Sequence, residues 1–252
     1  MMTGPLICSL LLQFFSFEKI LLIASGIPLG VLPVYLILIK SEGINEQLSR
    51  TSAHETFSQS LLRVKKIIST KVILSLTYGR FMFAITSAVI TTLYGVYAFN
   101  ELNIDPAIYA LFFTLRGLAN TFARLPTGRL SDRIGRKKPL LSSFLLFTID
   151  FYLLSEIRDS VLISLLIFLY GMAHGIRAVS EWSFLGDIVS REDRSLTNFY
   201  FSSVFDFGMA IGATFAGIAA LILSTQDILK ITALLIGSNV LVIGRLKEAI
   251  RQ

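Results

Sequence analysis

Residues 81–100 read Phe81-Met-Phe-Ala-Ile-Thr-Ser-Ala-Val-Ile-Thr-Thr-Leu-Tyr-Gly-Val-Tyr-Ala-Phe-Asn100, 20 positions without a charge. As a helix, about 20 apolar residues cross the ~30 Å hydrocarbon core of a bilayer. Two more runs of the same length, Ile20–Ile39 and Phe207–Gln226, are also uncharged. Val161–Ile176 nearly repeats the pattern, broken only by His174. Lipid offers the backbone no hydrogen bonds, so such segments must satisfy their own N–H and C=O groups as helices. Barrel strands would be shorter and would alternate in polarity. These runs do not alternate.

Composition agrees. The 252 residues are 54% apolar and 16% charged, with a mean hydropathy of +0.70. Soluble domains run nearer 45–50% and about 25%. Eight apolar segments are expected, at about 4–16, 19–40, 72–98, 106–126, 138–157, 159–184, 197–223 and 226–244. The expected fold class is therefore all-α, a polytopic transmembrane helical bundle of about eight spans. The one long polar interruption is 41–71, whose end (Leu61, Val64, Ile67, Ile68 beside Arg63, Lys65, Lys66) fits a surface helix or a plain linker. The single cysteine, Cys8, provides neither a disulfide framework nor a thiolate metal site.

The net charge of +6 is unevenly shared among the loops. One side collects Lys40, Arg50, Arg63, Lys65, Lys66, Lys71, Arg124, the cluster from Arg129 to Lys138, Arg191, Arg194, Arg245, Lys247 and Arg251; the other has Lys19, Arg158 and Lys230. Basic loops stay in the cytoplasm. The linker, the 127–138 loop, the 188–196 loop and both termini are expected to face inward, in a multi-pass protein of the cell membrane.

The 127–138 loop carries Gly128-Arg-Leu-Ser-Asp132-Arg133-Ile-Gly135-Arg136-Lys137-Lys138. Gly128 and Gly135 permit a tight reversal, Asp132 can pair with a basic neighbour or cap a helix, and the cations face anionic headgroups. This stretch resembles the G-x-L-x-D-R-x-G-R-[KR] loop of the major facilitator superfamily at every specified position. In that family the loop follows the second span of each six-span half. The resemblance implies that 72–252 is a six-helix C-terminal half, 41–71 the cytoplasmic linker, and 1–40 the last two spans of an N-terminal half lacking its first four. A gapless shift of 208 positions pairs Gly4 with Gly212, Ser16 with Ser224, Ile20 with Ile228, Leu21 with Leu229, Ile23 with Ile231 and Val34 with Val242, as repeated halves would. The implied function is transport of a small solute by alternating access, coupled to an ion such as the proton, by a truncated or fragmentary carrier. The alternatives are a non-transporting remnant or one subunit of a split transporter, with a complementary N-terminal half as partner.

Ionisable residues at membrane depth are costly and mark function by default. Here they are Arg80, Arg116, Asp150, His174, Arg177, Glu181 and Asp206. Tyr170, His174, Arg177 and Glu181 follow i, i+4, i+7, i+11 spacing and share one helix face, and Arg177 can pair with Glu181 one turn away. The resemblance implies that the first and fourth spans of the half line the cavity. Tyr78, Arg80, His174, Arg177 and Glu181 then become candidates for the substrate and proton path, against the plainer reading of a fixed Arg177–Glu181 bridge. Arg116, Asp150 and Asp206 are expected to pair structurally. Gly128, Asp132, Arg133, Gly135, Arg136 and Lys137, with Asp187 and Arg194, are expected to form an inner charge network that locks one conformation. There is no HExxH, GxSxG or GxxxxGK pattern, so no enzyme, metal, cofactor or nucleic-acid partner is expected.

Overall fold

A computed structural model describes residues 68–246 and, before them, only Lys19, Pro33 and Lys65. The expected spans at 4–16 and 19–40, most of the 41–71 linker and the C-terminal six residues lie outside the described residues. Six helices follow: α1 Lys71–Asn100, α2 Pro106–Ile134, α3 Lys137–Glu156, α4 Ser160–Ile188, α5 Arg194–Ala219 and α6 Thr225–Gly244. Five of them are long and apolar enough to cross a membrane; α2 is the exception. It carries Arg116, Arg124, Arg129, Asp132 and Arg133, which depress its hydropathy without shortening it.

Short side-chain caps set the helix starts. Asp105 accepts from the Ala107 N–H at 2.7 Å, with Pro106 in the first turn. Asp159 accepts from the N–H groups of Val161 and Leu162 at 3.1 and 2.9 Å. Ser224 accepts from Asp227 at 3.2 Å. Each satisfies a donor that the first turn leaves free. The α1–α2 connection turns at Asn103, in the left-handed region at φ 53°, where asparagine is tolerated.

Two boundaries differ from expectation. The second span does not stop near 126, because α2 runs through Pro126 to Ile134. Pro126 lacks the N–H that would bond the Phe122 carbonyl, and just beyond it the Thr127 hydroxyl donates to the neighbouring Ala123 carbonyl at 2.6 Å. The reversal expected of both Gly128 and Gly135 is made by Gly135 alone, at φ 90°; Gly128 is helical and has open space where a Cβ would lie.

Packing is chiefly by pairs: α2 on α4, α1 on α5 and α3 on α6, with α3–α4 and α1–α6 contacts joining them. Among lipid tails there is no hydrophobic drive between helices, so close approach of small residues matters more. A Cβ at Gly171 would lie 2.9 Å from that of Ala119, and one at Gly175 would lie 3.0 Å from that of Ala123, with the Arg116 and Asn120 carbonyls closer still. Those two glycines let α4 rest on the α2 backbone. Gly208 and Gly212 serve α5 against α1 in the same way. Phe83, Phe144, Phe147, Phe151 and Tyr170 fill the centre where α1, α3 and α4 meet. On the outside, Leu221 is 84% and Leu125 78% exposed. Such surfaces would be a liability in water and are what lipid or a further helix layer would cover.

Candidate functional site

The face of α4 that carries Tyr170, His174, Arg177 and Glu181 is turned inward, and its lower half meets α1. Arg80 on α1 donates to Glu181 Oε2 at 3.1 Å. Arg177, one turn before Glu181, donates to the same oxygen. The side chains of Arg80, Arg177 and Glu181 are 10%, 4% and 3% exposed. One carboxylate therefore holds two guanidiniums away from solvent, an excess of one positive charge. Aromatic faces supply the rest of the cradle: Arg177 stands over the Phe83 ring at 3.7 Å, and Arg80 over Trp182 and Phe205 at 5.0 and 5.1 Å. Ring faces attract such cations without adding formal charge. The other oxygen, Glu181 Oε1, and the Nε atoms of both arginines are buried without partners.

His174 sits one turn above Arg177. Its Nδ1 is 2.5 Å from the Asn120 amide nitrogen, and its ring meets Phe83 with centroids 5.3 Å apart. Asn120 in turn accepts from Arg124 Nε at 2.9 Å. Asn120 was missed by the sequence reading, although a signal existed. It lies four residues from both Arg116 and Arg124 in an otherwise apolar run, so all three share a face of α2. Phe83, Phe205 and Trp182 carry no comparable signal, since aromatics at helical spacing look alike in lipid and in a site.

Tyr78 belongs elsewhere. Its hydroxyl reaches Ser238 on α6 at 2.7 Å, and Ser238 passes its own proton to the Leu235 carbonyl at 2.6 Å. It is not part of the Arg80–Arg177–Glu181 group. The three charges expected to pair structurally also depart from expectation. Arg116 lies over the Tyr170 ring at 4.7 Å rather than beside a carboxylate. Asp150 is 3% exposed, and both its oxygens lack a partner. Asp206 is exposed on α5, two residues and so over half a turn from Gly208, which faces α1. Helical spacing placed each on a span but could not say which helix would lie opposite.

At the end of α2, Arg136 joins three elements. It binds Asp132 at 2.6 Å, Asp187 at the end of α4 at 2.9 Å, and the Ser131 hydroxyl at 2.6 Å. Burial works against its charge, but the hydrogen bonds and charges of Asp187 and Asp132 outweigh this and hold the guanidinium above its usual value. Lys137 donates to the Gly244 carbonyl at 2.8 Å and also to that of Leu246, tying the turn to the end of α6. Arg194 reaches a backbone carbonyl, Gly186, at 3.1 Å rather than a carboxylate. Arg133 is exposed. A cleft of about 400 Å³ opens beside this group, with Arg136, Asp187, Arg194, Thr197 and Trp182 in its wall. Trp182 is thus shared between the cleft and the Arg80 cradle.

No curated protein matches the chain. Over residues 76–248, more than half of its length, the sequence matches the Major Facilitator Superfamily. That match takes in all but the first turn of the described bundle, including the cradle and the Arg136 junction. With its strand-free bundle of long apolar helices, the chain belongs to the Major Facilitator Superfamily and is a multi-pass membrane protein of the transport class.

Proposed function

We propose that the chain works as a secondary carrier for a small anionic solute, moved by alternating access and coupled to protons. The observation that carries the reading is the cradle of two buried guanidiniums on one carboxylate oxygen. A carboxylate or phosphate of the solute would balance the surplus charge, and Arg80, the less buried of the two, is the one it would reach first. Buried arginines favour such oxyanions because the planar fork can bind them bidentately.

The junction of Asp132, Arg136 and Asp187 is the inner latch in this reading. It joins the α2–α3 turn to the end of α4 across a cleft, and alternating access needs contacts that hold in one state and break in the other. Residues 72–252 act as one six-helix half, working against a second half across the solute path. The turn at Gly135 and the linker face the cytoplasm, as their basic residues direct.

Reconstitution into proteoliposomes tests this. With a panel of labelled small carboxylates and phosphates, uptake of at least one should follow an inward proton gradient and fall at least tenfold in Arg80→Ala. The reading fails if only neutral or cationic solutes move, or if Arg80→Ala leaves flux unchanged. Absence of any flux, with or without a co-expressed N-terminal half, would favour a non-transporting role.

A further inference from the structure

The transport reading leaves one deeply buried carboxyl without a role. Asp150 lies on the inward face of α3 with Phe147, Phe151 and Leu154. It is 3% exposed, and neither oxygen has a hydrogen-bond partner. Phe147 and Phe151, three residues before it and one after, each meet the Tyr170 ring T-shaped, at 5.2 and 5.9 Å between centroids. The Tyr170 hydroxyl is also buried without a partner, as is that of Tyr94, which lies within electrostatic reach of Asp150. Buried polar groups are nearly always satisfied, so each of these orphans calls for an explanation.

The charged groups around Asp150 do not provide one. From α4 comes Tyr170, whose ring meets Phe147 and Phe151, and from α1 comes Tyr94. From α2 comes Arg116, whose guanidinium is spent on the Tyr170 ring at 4.7 Å. The only ionisable residues of α6 are Asp227 and Lys230. Lys230 is held by Glu156 at 2.7 Å and Asp227 by Ser224 at 2.6 Å. Among the described residues no cation pairs with Asp150. An isolated carboxylate is among the most expensive groups to bury, and it escapes that cost by taking up a proton. The same two tyrosines line a small cavity of about 30 Å³, enough to admit water, between α1, α2 and α4, with Arg116 in its wall. The orphaned carboxyl thus stands next to side chains that open on space.

We propose that Asp150 is the proton-carrying group of the chain, reached from that cavity through Tyr94 and Tyr170. In the conformation described it is the neutral acid. When the cavity fills with water, the O–H bond at Asp150 breaks and the proton passes to water. The carboxylate left behind is then stabilised by the two tyrosine hydroxyls and by Arg116, released from the Tyr170 ring. Glu181 is unsuited to the task, because a proton there would leave two buried guanidiniums without a counter-ion.

This assignment names the carrier of the coupling ion and so rests on the transport reading, but the proton can be sought without flux. Dicyclohexylcarbodiimide attaches to protonated carboxyls in apolar surroundings. The full-length protein in detergent would be treated with it over a series of pH values and the adducts located by mass spectrometry. The expected result is an adduct at Asp150, none at Glu181, and a yield at Asp150 that falls as the pH is raised. Asp150→Asn, the closest neutral mimic of the protonated acid, should fold, lose the adduct and lose one acid carbonyl band from the infrared spectrum. No adduct at Asp150 at any pH, or a yield that pH does not change, overturns the proposal, and both are read on the wild type even if the variant misfolds. A labelled Asp150 with no solute flux would sink the carrier reading alone; solute flux with an unlabelled Asp150 would sink this assignment alone.

Discussion

Replacing Glu181 by Gln keeps the shape of the side chain and removes its charge, and the consequence can be worked out from the cradle. Oε2 of Glu181 serves both Arg80, at 3.1 Å, and Arg177. All three side chains are 10% exposed or less, so water does little to screen the loss. An exposed ion pair is worth about 0–1 kcal/mol, whereas removing one partner of a buried pair costs about 3–5 kcal/mol, because the survivor stays buried and uncompensated. Two survivors place Glu181→Gln toward the upper end. At about 2–4 °C per kcal/mol for a chain of this size, the melting temperature should fall by roughly 10–20 °C. Trp182 is the only tryptophan and lies 5.0 Å from the Arg80 guanidinium, so its fluorescence reports melting from within the site. Adding Arg177→Met to Glu181→Gln should recover most of the loss, since it removes the more deeply buried cation, and the cycle isolates the coupling. A melting temperature within about 2 °C of wild type would refute the reasoning. So would a loss that high salt abolishes, since salt screens exposed charges and hardly touches buried ones.

Three other perturbations bear on the helices and the inner turn. Gly171→Val must part α2 from α4, since a Cβ there falls 2.9 Å from that of Ala119. It should cost about 1–3 kcal/mol or more in thermal melts, while Gly128→Ala, with open space around it, should stabilise by up to about 1 kcal/mol. Arg136→Ala should cost less than about 1 kcal/mol, because Asp132 and Asp187 are 53% and 36% exposed. It should nevertheless speed maleimide labelling of a cysteine placed at Ser183 in the cleft, and unchanged labelling would remove the latch role. Tyr78→Phe loses one hydrogen bond, worth about 1 kcal/mol, and should leave anion flux unaltered; a flux defect would restore Tyr78 to the solute path.

What could be read from the sequence was what varies along one dimension. The absence of charge over Phe81–Asn100 fixed a span, and α1 ends at Asn100. The apolar segments expected to begin near 106 and 159 start close to α2 and α4, where Asp105 and Asp159 act as caps. Helical periodicity set Tyr170, His174, Arg177 and Glu181 on one face, and the last three meet α1 residues or their ring contacts. The apolar segment expected at 106–126 stops where charge sets in, from Arg129 onward, and so understates α2. A membrane helix tolerates an internal proline more readily than one in water, and α2 continues through Pro126 to Ile134.

Neighbour identity is not a one-dimensional property, and that is where expectation failed in an informative way. Three arginines against three carboxylates within apolar spans suggested pairing by number, yet the packing assigns two arginines to Glu181 and none to Asp150. The cause lies in small residues whose importance spacing alone does not reveal. Gly171 and Gly175 bring α4 onto α2 so closely that Tyr170 takes the Arg116 guanidinium on its ring. The same ring meets Phe147 and Phe151, which flank Asp150. Where α4 rests on α2, the Arg116 cation lies on a ring and not on the buried acid. The carboxyl must then find its charge balance in a proton, which is why the helix packing and the proposed coupling chemistry stand or fall on the same residues.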